Sequence, residues 1–150
     1  MDLYYIQIRD IIQRVDNVAP PNLFQLQNTG KARFYGSELN VSYQALRQLK
    51  IGANYSFIRR ENISRPELKF IDVPEHKLLA YLTLRPTSWL QVFASTEYNT
   101  RRYSTSAGTE AGGFALLNLN AQVRLHRWVG MEGGVNNLAD RLYSLVEGFP

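Results

Sequence analysis

Between Phe114 and Asn137 apolar and polar residues alternate along two successive stretches joined by a very short turn. Ala115, Leu117, Leu119, Ala121, Val123 and Leu125 hold the odd positions, and Asn118, Asn120, Gln122 and Arg124 lie between them. The second stretch repeats the rhythm, with Val129, Met131, Gly133 and Val135 against Glu132 and Asn136. A period of two predicts strands with one face in an apolar medium and the other in a polar one. Together the two stretches predict a hairpin turning at His126-Arg127-Trp128, with its Leu and Val residues on the apolar side.

The same rhythm recurs upstream. Leu3 to Val15 reads as a first strand, with Tyr4, Ile6 and Ile8 opposite Tyr5, Gln7 and Arg9, blurring at Ile11-Ile12. A second strand runs from Thr29 to Leu46, a third from Ile51 to Arg59-Arg60, a fourth from Leu78 to Arg85 and a fifth from Leu90 to Asn99. Asp16 to Gln27, which contains Pro20-Pro21, Glu61 to His76, and Ser104 to Gly112 read as long loops. Arg47 to Lys50, Pro86-Thr87-Ser88 and the 126–128 segment read as short turns. Connections therefore alternate strictly between long and short, so an up-and-down antiparallel sheet of these seven strands has all its long loops at one end. Several strands exceed the roughly 9 to 11 residues that cross a bilayer's hydrocarbon.

This two-ended asymmetry is the pattern of an outer-membrane barrel. Tyr43, Trp89 and Trp128 beside the short turns, and Tyr55, Phe57, Tyr98 and Tyr103 toward the long loops, fit its two aromatic girdles. The competing expectation is a soluble antiparallel β-sandwich or barrel that binds a ligand or partner, because alternation alone does not distinguish lipid from a second sheet.

Composition narrows the picture modestly. The 150 residues hold no cysteine, which excludes disulfide scaffolds and Cys-ligated zinc. No run of about 18 apolar residues exists to form a transmembrane helix, and the Met1-Asp2-Leu3-Tyr4 start lacks the basic and apolar regions of a secretory signal. Hydrophobic residues make up 45% of the chain, yet the mean hydropathy is negative, as interleaving requires. A formal net charge of +4 admits an anionic partner. A nucleic-acid module would gather basic and aromatic residues on one sheet face; here they are spread, and no nucleic acid is expected.

Catalytic chemistry has no constellation to rest on, so no enzyme activity is expected. His76, in a long loop, and His126, in a short turn, fall at opposite ends of the sheet and cannot share a metal or a triad. Gly112-Gly113 and Gly133-Gly134 lack the strand-to-helix context of a phosphate-binding loop, and no cofactor is expected. The triplets at Asn40, Asn54 and Asn62 match the glycosylation pattern by chance. Arg59-Arg60 and Arg101-Arg102 are the more informative pairs, since both lie at strand ends on the long-loop side. Their fork-shaped donors suit an anionic ligand or lipid phosphate. By alternation Arg101 continues the inward series of Glu97 and Asn99, while Arg102 faces outward. Arg60, Glu97, Asn99 and Arg101 are the candidate ligand-binding residues.

Asn137-Leu138-Ala139-Asp140-Arg141-Leu142-Tyr143 resembles the Asn-Leu-Phe-Asp-x-x-Tyr segment before the last strand of TonB-dependent outer-membrane receptors, with Ala139 in place of Phe. Gly36-Ser37-Glu38, Asn54-Tyr55-Ser56-Phe57 and Val73-Pro74-Glu75-His76-Lys77 are similar in type and order to further pieces of that family. The resemblance implies that residues 1–150 are a partial C-terminal segment of a twenty-two-strand barrel, with plug domain, TonB box and closing strand absent. It implies a location in the bacterial outer membrane, with its lipid, the protein's own plug domain, TonB and a small nutrient chelate as partners. The expected cargo is an iron-siderophore, haem or cobalamin.

Overall fold

The structure is a computed structural model describing residues 1–19 and 23–148. The Pro20-Pro21 pair and Phe149-Pro150 lie outside the described residues. Among the described residues eleven strands form: β1 (Asp2–Ile8), β2 (Ile12–Ala19), β3 (Leu23–Asn28), β4 (Ala32–Leu46), β5 (Leu49–Asn62), β6 (His76–Leu84), β7 (Leu90–Asn99), β8 (Arg102–Tyr103), β9 (Glu110–Ala111), β10 (Phe114–His126) and β11 (Val129–Val135). Seven build one sheet in the order β1-β4-β5-β6-β7-β10-β11, and each neighbouring pair is antiparallel. This is the expected meander, with the long connections at one end and the short turns at the other.

The first predicted strand is corrected. It ends at Ile8, and its second half becomes β2, which pairs with β3 as a separate hairpin where a plain loop is expected. Asp10, with φ at 57°, turns the chain out of the sheet. Backbone bonds between Ile11 and Gly30 and between Thr29 and Ile11 then hold the new hairpin's base. The third long loop likewise carries a small hairpin, β8–β9.

Register places the two residue classes on opposite faces. Leu119 lies across from Ala94, Ala94 from Leu82, Leu82 from Ile51 and Ile51 from Tyr43, so one face is an unbroken apolar band. The other face carries Glu38, Asn40, Ser56, Lys77, Ser95, Glu97, Asn118 and Gln122. There the ring of Tyr81 lies over Gly52, and a Cβ at Gly52 would come within 2.3 Å of it. Tyr4 covers Gly36 in the same way. The glycines let aromatic rings lie flat on the sheet.

Among the described residues nothing covers the apolar band. Leu39, Val41, Tyr43, Ile51, Leu117 and Leu119 are each more than 40% exposed. The total accessible surface is 10611 Å², against about 7,800 Å² for a compact protein of this mass. A soluble sandwich would bury this face, so the surface counts against that alternative. Side chains are buried instead at the long-loop end, where Gln13, Val15, Thr29, Ala32, Asn62, Leu68, Asn99, Arg102, Ser106, Ala111 and Phe114 lie out of solvent.

Candidate functional site at the long-loop end

The three long connections are tied into one unit. Asn62 donates to Gln13 Oε1 at 3.2 Å and to Thr29 Oγ1 at 2.8 Å, joining the end of β5 to the β2–β3 hairpin. Gln13 donates to the Lys69 carbonyl at 3.0 Å, which adds the 63–75 loop. Asp16 and Ser106 bond reciprocally, the Asp16 N–H to Ser106 Oγ at 2.7 Å and the Ser106 N–H to Asp16 Oδ2 at 2.8 Å, which adds the third connection. Partial burial pushes the Asp16 carboxyl up, but donation from the Ser106 backbone and from Arg14 outweighs it and holds the group below the usual carboxylate range. Buried polar groups satisfied this fully specify one arrangement of the loops.

Beneath these loops, on the polar face, Glu97 is the centre of a charged cluster. Asn99 Nδ2 donates to Glu97 Oε1 at 2.9 Å, and Lys77 Nζ lies 3.2 Å from the same oxygen. The register Lys77–Asn99–Phe114 across β6, β7 and β10 brings them to one height. Arg102 completes the group, with its guanidinium carbon 5.2 Å from the Phe114 ring centre and its charge within Coulombic reach of Glu97. Its Nε and Nη2 are buried without a partner among the described residues. Tyr143 packs on Phe114 with ring centres 4.3 Å apart.

Of the four expected ligand residues the structure brings two together, Glu97 and Asn99. Arg60 is drawn into the second loop, where Nη2 donates to the carbonyls of Phe70, Ile71 and Val73 at 3.2–3.3 Å. Arg101 stands at the start of the third connection, largely exposed and paired with Glu110 at 3.2 Å. The expectation that Arg102 faces outward is corrected. β7 ends at Asn99, and Thr100 bonds back to His76, so the alternation stops before it can carry Arg102 to the outer face. Lys77, Arg102, Phe114 and Tyr143 were not among the expected site residues. Lys77 is the one a two-residue count along β6 could have revealed, since it shares a face with Leu79 and Tyr81.

On the apolar side the same end carries Tyr5, Tyr35, Tyr55, Phe57 and Tyr98. His76 is the first residue of β6 rather than a solvated loop residue, bonded to Tyr55 at 2.7 Å and stacked on Phe57 at 5.0 Å. Above the rings Arg33 pairs with Glu61, and Arg59 with Glu61 at 3.2 Å and Glu75 at 3.7 Å. The 137–143 motif also acquires a physical role. Asn137, with φ at 53°, accepts from the Arg141 N–H and donates to the Arg141 carbonyl, closing a turn that seats Tyr143 against Phe114.

An antiparallel meander with an uncovered apolar face, an aromatic girdle and a polar inner face is a section of a transmembrane β-barrel. Residues 1–138 match the family model of the TonB-dependent receptor-like β-barrel, and the chain belongs to that family. Among solved structures it is similar to the copper transporter OprC, at 21% identity and a TM-score of 0.79 over 99% of this chain and 25% of that one. It is similar also to the siderophore receptor PiuA of Acinetobacter baumannii, at 17% identity and a TM-score of 0.75 over 96% and 22%. A third match is the ferric enterobactin receptor PfeA of Pseudomonas aeruginosa, at 17% identity and a TM-score of 0.73 over 93% and 23%. The chain thus spans about a quarter of the length of these structures, and the likeness is one of fold. No curated relative matches the sequence.

Proposed function

We propose that this chain forms part of the C-terminal barrel wall of a bacterial outer-membrane receptor that imports a scarce nutrient chelate, such as an iron-siderophore, haem or cobalamin, and is energised through TonB. The observation that carries the reading is the pairing of an uncovered apolar face with a polar face whose charged residues cluster under interlocked loops. The apolar face meets outer-membrane lipid, and the long loops face the exterior. Lys77, Glu97, Asn99 and Arg102 line the passage below those loops, with the plug domain of the complete receptor facing them across the lumen. Two cations and a carboxylate beside aromatic rings suit an anionic or polar chelate, held by charge-assisted bonds and ring contact. Arg60 and Arg101 act as rim residues. Family membership supports the reading, as does the likeness in fold to siderophore receptors and to a copper transporter. Catalysis has no part in it.

The test is uptake by cells producing the complete receptor, with and without a working TonB, offered labelled ferric catecholate, ferric hydroxamate, haem, cobalamin and copper in turn. The proposal predicts TonB-dependent accumulation of one class, lowered about tenfold or more by exchanging Glu97 and Arg102 together for alanine. Uptake of none of them, or uptake indifferent to TonB, contradicts it.

A further inference from the structure

The short-turn end carries a charge imbalance that the transport reading does not use. Residues 44–51, 83–92 and 122–131 contain five of the chain's 17 Lys and Arg residues, Arg47, Lys50, Arg85, Arg124 and Arg127, and none of its 13 acidic residues. The rest of the chain is then slightly acidic. Among the described residues none of the five is ion-paired, whereas at the long-loop end Arg14, Arg33, Arg59, Arg65 and Arg101 all are.

Arg85, Arg124 and Arg127 line one open cavity of about 550 Å³ between the 85–89 turn and the 126–129 turn. Its floor belongs to the polar inner face. Gln91 and Gln122 are cross-strand partners there, Gln91 accepts from Arg85 Nε at 2.7 Å, and Arg124 stands two residues beyond Gln122 on the same side of β10. The turns are fixed to each other, since the Arg124 N–H donates to the Trp89 carbonyl at 2.7 Å. Glu132, the inner-face acid on the adjoining strand, lies opposite Gln122 but takes the Asn120 amide at 3.0 Å and forms no ion pair with Arg124. This group shares its face with the Lys77–Glu97–Asn99–Arg102 cluster and sits at the other end of it. Along β6 the inner series runs Lys77, Leu79, Tyr81, Thr83 and on to Arg85, whose N–H continues the ladder to the Gln48 carbonyl. Eight residues of strand put the two groups about 27 Å apart, with the stacked rings of Tyr81 and Phe93 between them.

We propose that this cavity is a second station for the cargo, holding an anionic metal chelate at the short-turn mouth of the lumen after it leaves the Lys77–Arg102 cluster. The arginines take the chelate's outer oxygens in charge-assisted bonds. A cavity of this volume suits a body the size of a small organic ligand. Three guanidiniums spread around it engage a chelate that carries oxygens on several sides, whereas a bare phosphate meets only one or two at a time. Exposed arginines in a wet site hold such a ligand weakly, as a place of release requires. The inference rests on the transport reading above and names the charge of its cargo, and the experiment separates the two.

The complete receptor, in mild detergent at low salt, is dialysed against labelled ferric tricatecholate, which is trianionic, and ferric trihydroxamate, which is neutral and similar in shape. A Glu97→Ala/Arg102→Ala background disables the upper cluster, so that the short-turn cavity is read alone. Tricatecholate should bind about tenfold tighter than trihydroxamate, and about 1 M salt should remove the difference. Adding Arg85→Gln/Arg124→Gln/Arg127→Gln should weaken tricatecholate about tenfold or more, since each exposed charge pair contributes up to roughly fivefold. The corresponding Arg→Lys triple variant, which keeps the charge, guards against a fold defect and should retain most of the binding. Arg33→Gln/Arg59→Gln, on the outer face at the other end, should leave it unchanged. Equal binding of the two chelates, a preference that survives high salt, or inorganic phosphate or an acidic peptide held as tightly as tricatecholate overturns the proposal. TonB-dependent uptake by a receptor whose cavity shows no anionic preference refutes this inference alone, whereas the absence of TonB-dependent uptake of any chelate refutes the transport reading.

Discussion

Replacing Leu119 by arginine places a charge near the middle of the apolar band. Leu119 is five residues from the start of β10 and seven from its end, is 41% exposed, and has Ala94 and Val135 as its cross-strand neighbours. Neither neighbour offers a carboxylate, so the guanidinium faces lipid unpaired. At the midplane of a membrane barrel this costs about 2–4 kcal/mol, falling to roughly 0–1 kcal/mol near the interface. The adjacent Asn120 turns to the polar face, where its amide donates to Glu132 at 3.0 Å. Arginine there keeps a carboxylate partner, and the cost should stay within about 0.5 kcal/mol. Leu125, beside the β10–β11 turn, supplies the shallow control. The three variants are refolded into phospholipid vesicles and unfolded with guanidinium, followed by the fluorescence of Trp89 and Trp128. The order Leu119→Arg far above Leu125→Arg, with Asn120→Arg near neutral, is expected. Equal costs at 119 and 120, or a larger cost at 125 than at 119, would refute the assignment of faces.

Other consequences are nearer the loops. Asp16→Asn removes the charge from the latch on Ser106 and should cost about 1–3 kcal/mol locally, read as faster amide exchange in the β2–β3 hairpin with the sheet unaffected. Because the folded-state pKa of Asp16 is depressed, its contribution is complete above the ordinary carboxylate value of about 3.9 and disappears as pH falls below that through the folded value; hairpin exchange should therefore quicken only in acid, and not at all in the Asn variant. Gly52→Ala forces Tyr81 off the sheet and should lower stability by about 1–3 kcal/mol, an effect that pairing it with Tyr81→Ala should largely cancel. Asn137→Ala opens the turn that seats Tyr143 and should cost about 1–2 kcal/mol, seen as proteolytic cleavage within residues 137–147.

How much of this was legible depended on whether a residue's position followed from its own strand. All seven sheet strands, and the outward placing of Leu117, Leu119, Ala121 and Val123, follow from period two, because ladder pairing carries the parity from strand to strand across β4, β5, β6 and β7, with the register shifting only beside the short turn at Gln44–Leu46. Where a turn intervenes, parity is lost. Asp10 and Asn17 adopt positive φ, and neither could be known to do so from an alternating stretch, so β2–β3 was hidden inside a strand and a loop. Arg102 was misplaced for the same reason, one residue pair beyond the end of β7. The Glu97–Asn99 contact was legible as two residues on one face; its Lys77 partner sits on the next strand and needed the register. The latch between Asp16 and Ser106 joins positions 90 residues apart through backbone groups, for which no local pattern exists.

The central claim is that one face of this sheet meets lipid and the other an aqueous lumen. The chain has no cysteine, so single cysteines introduced from Leu117 through Val123 can each carry a spin label at a known depth. In vesicles, labels at 117, 119, 121 and 123 should be accessible to dissolved oxygen and shielded from a water-soluble nickel complex, and labels at 118, 120 and 122 should show the reverse. An accessibility that does not alternate, or alternates in the opposite phase, contradicts the account.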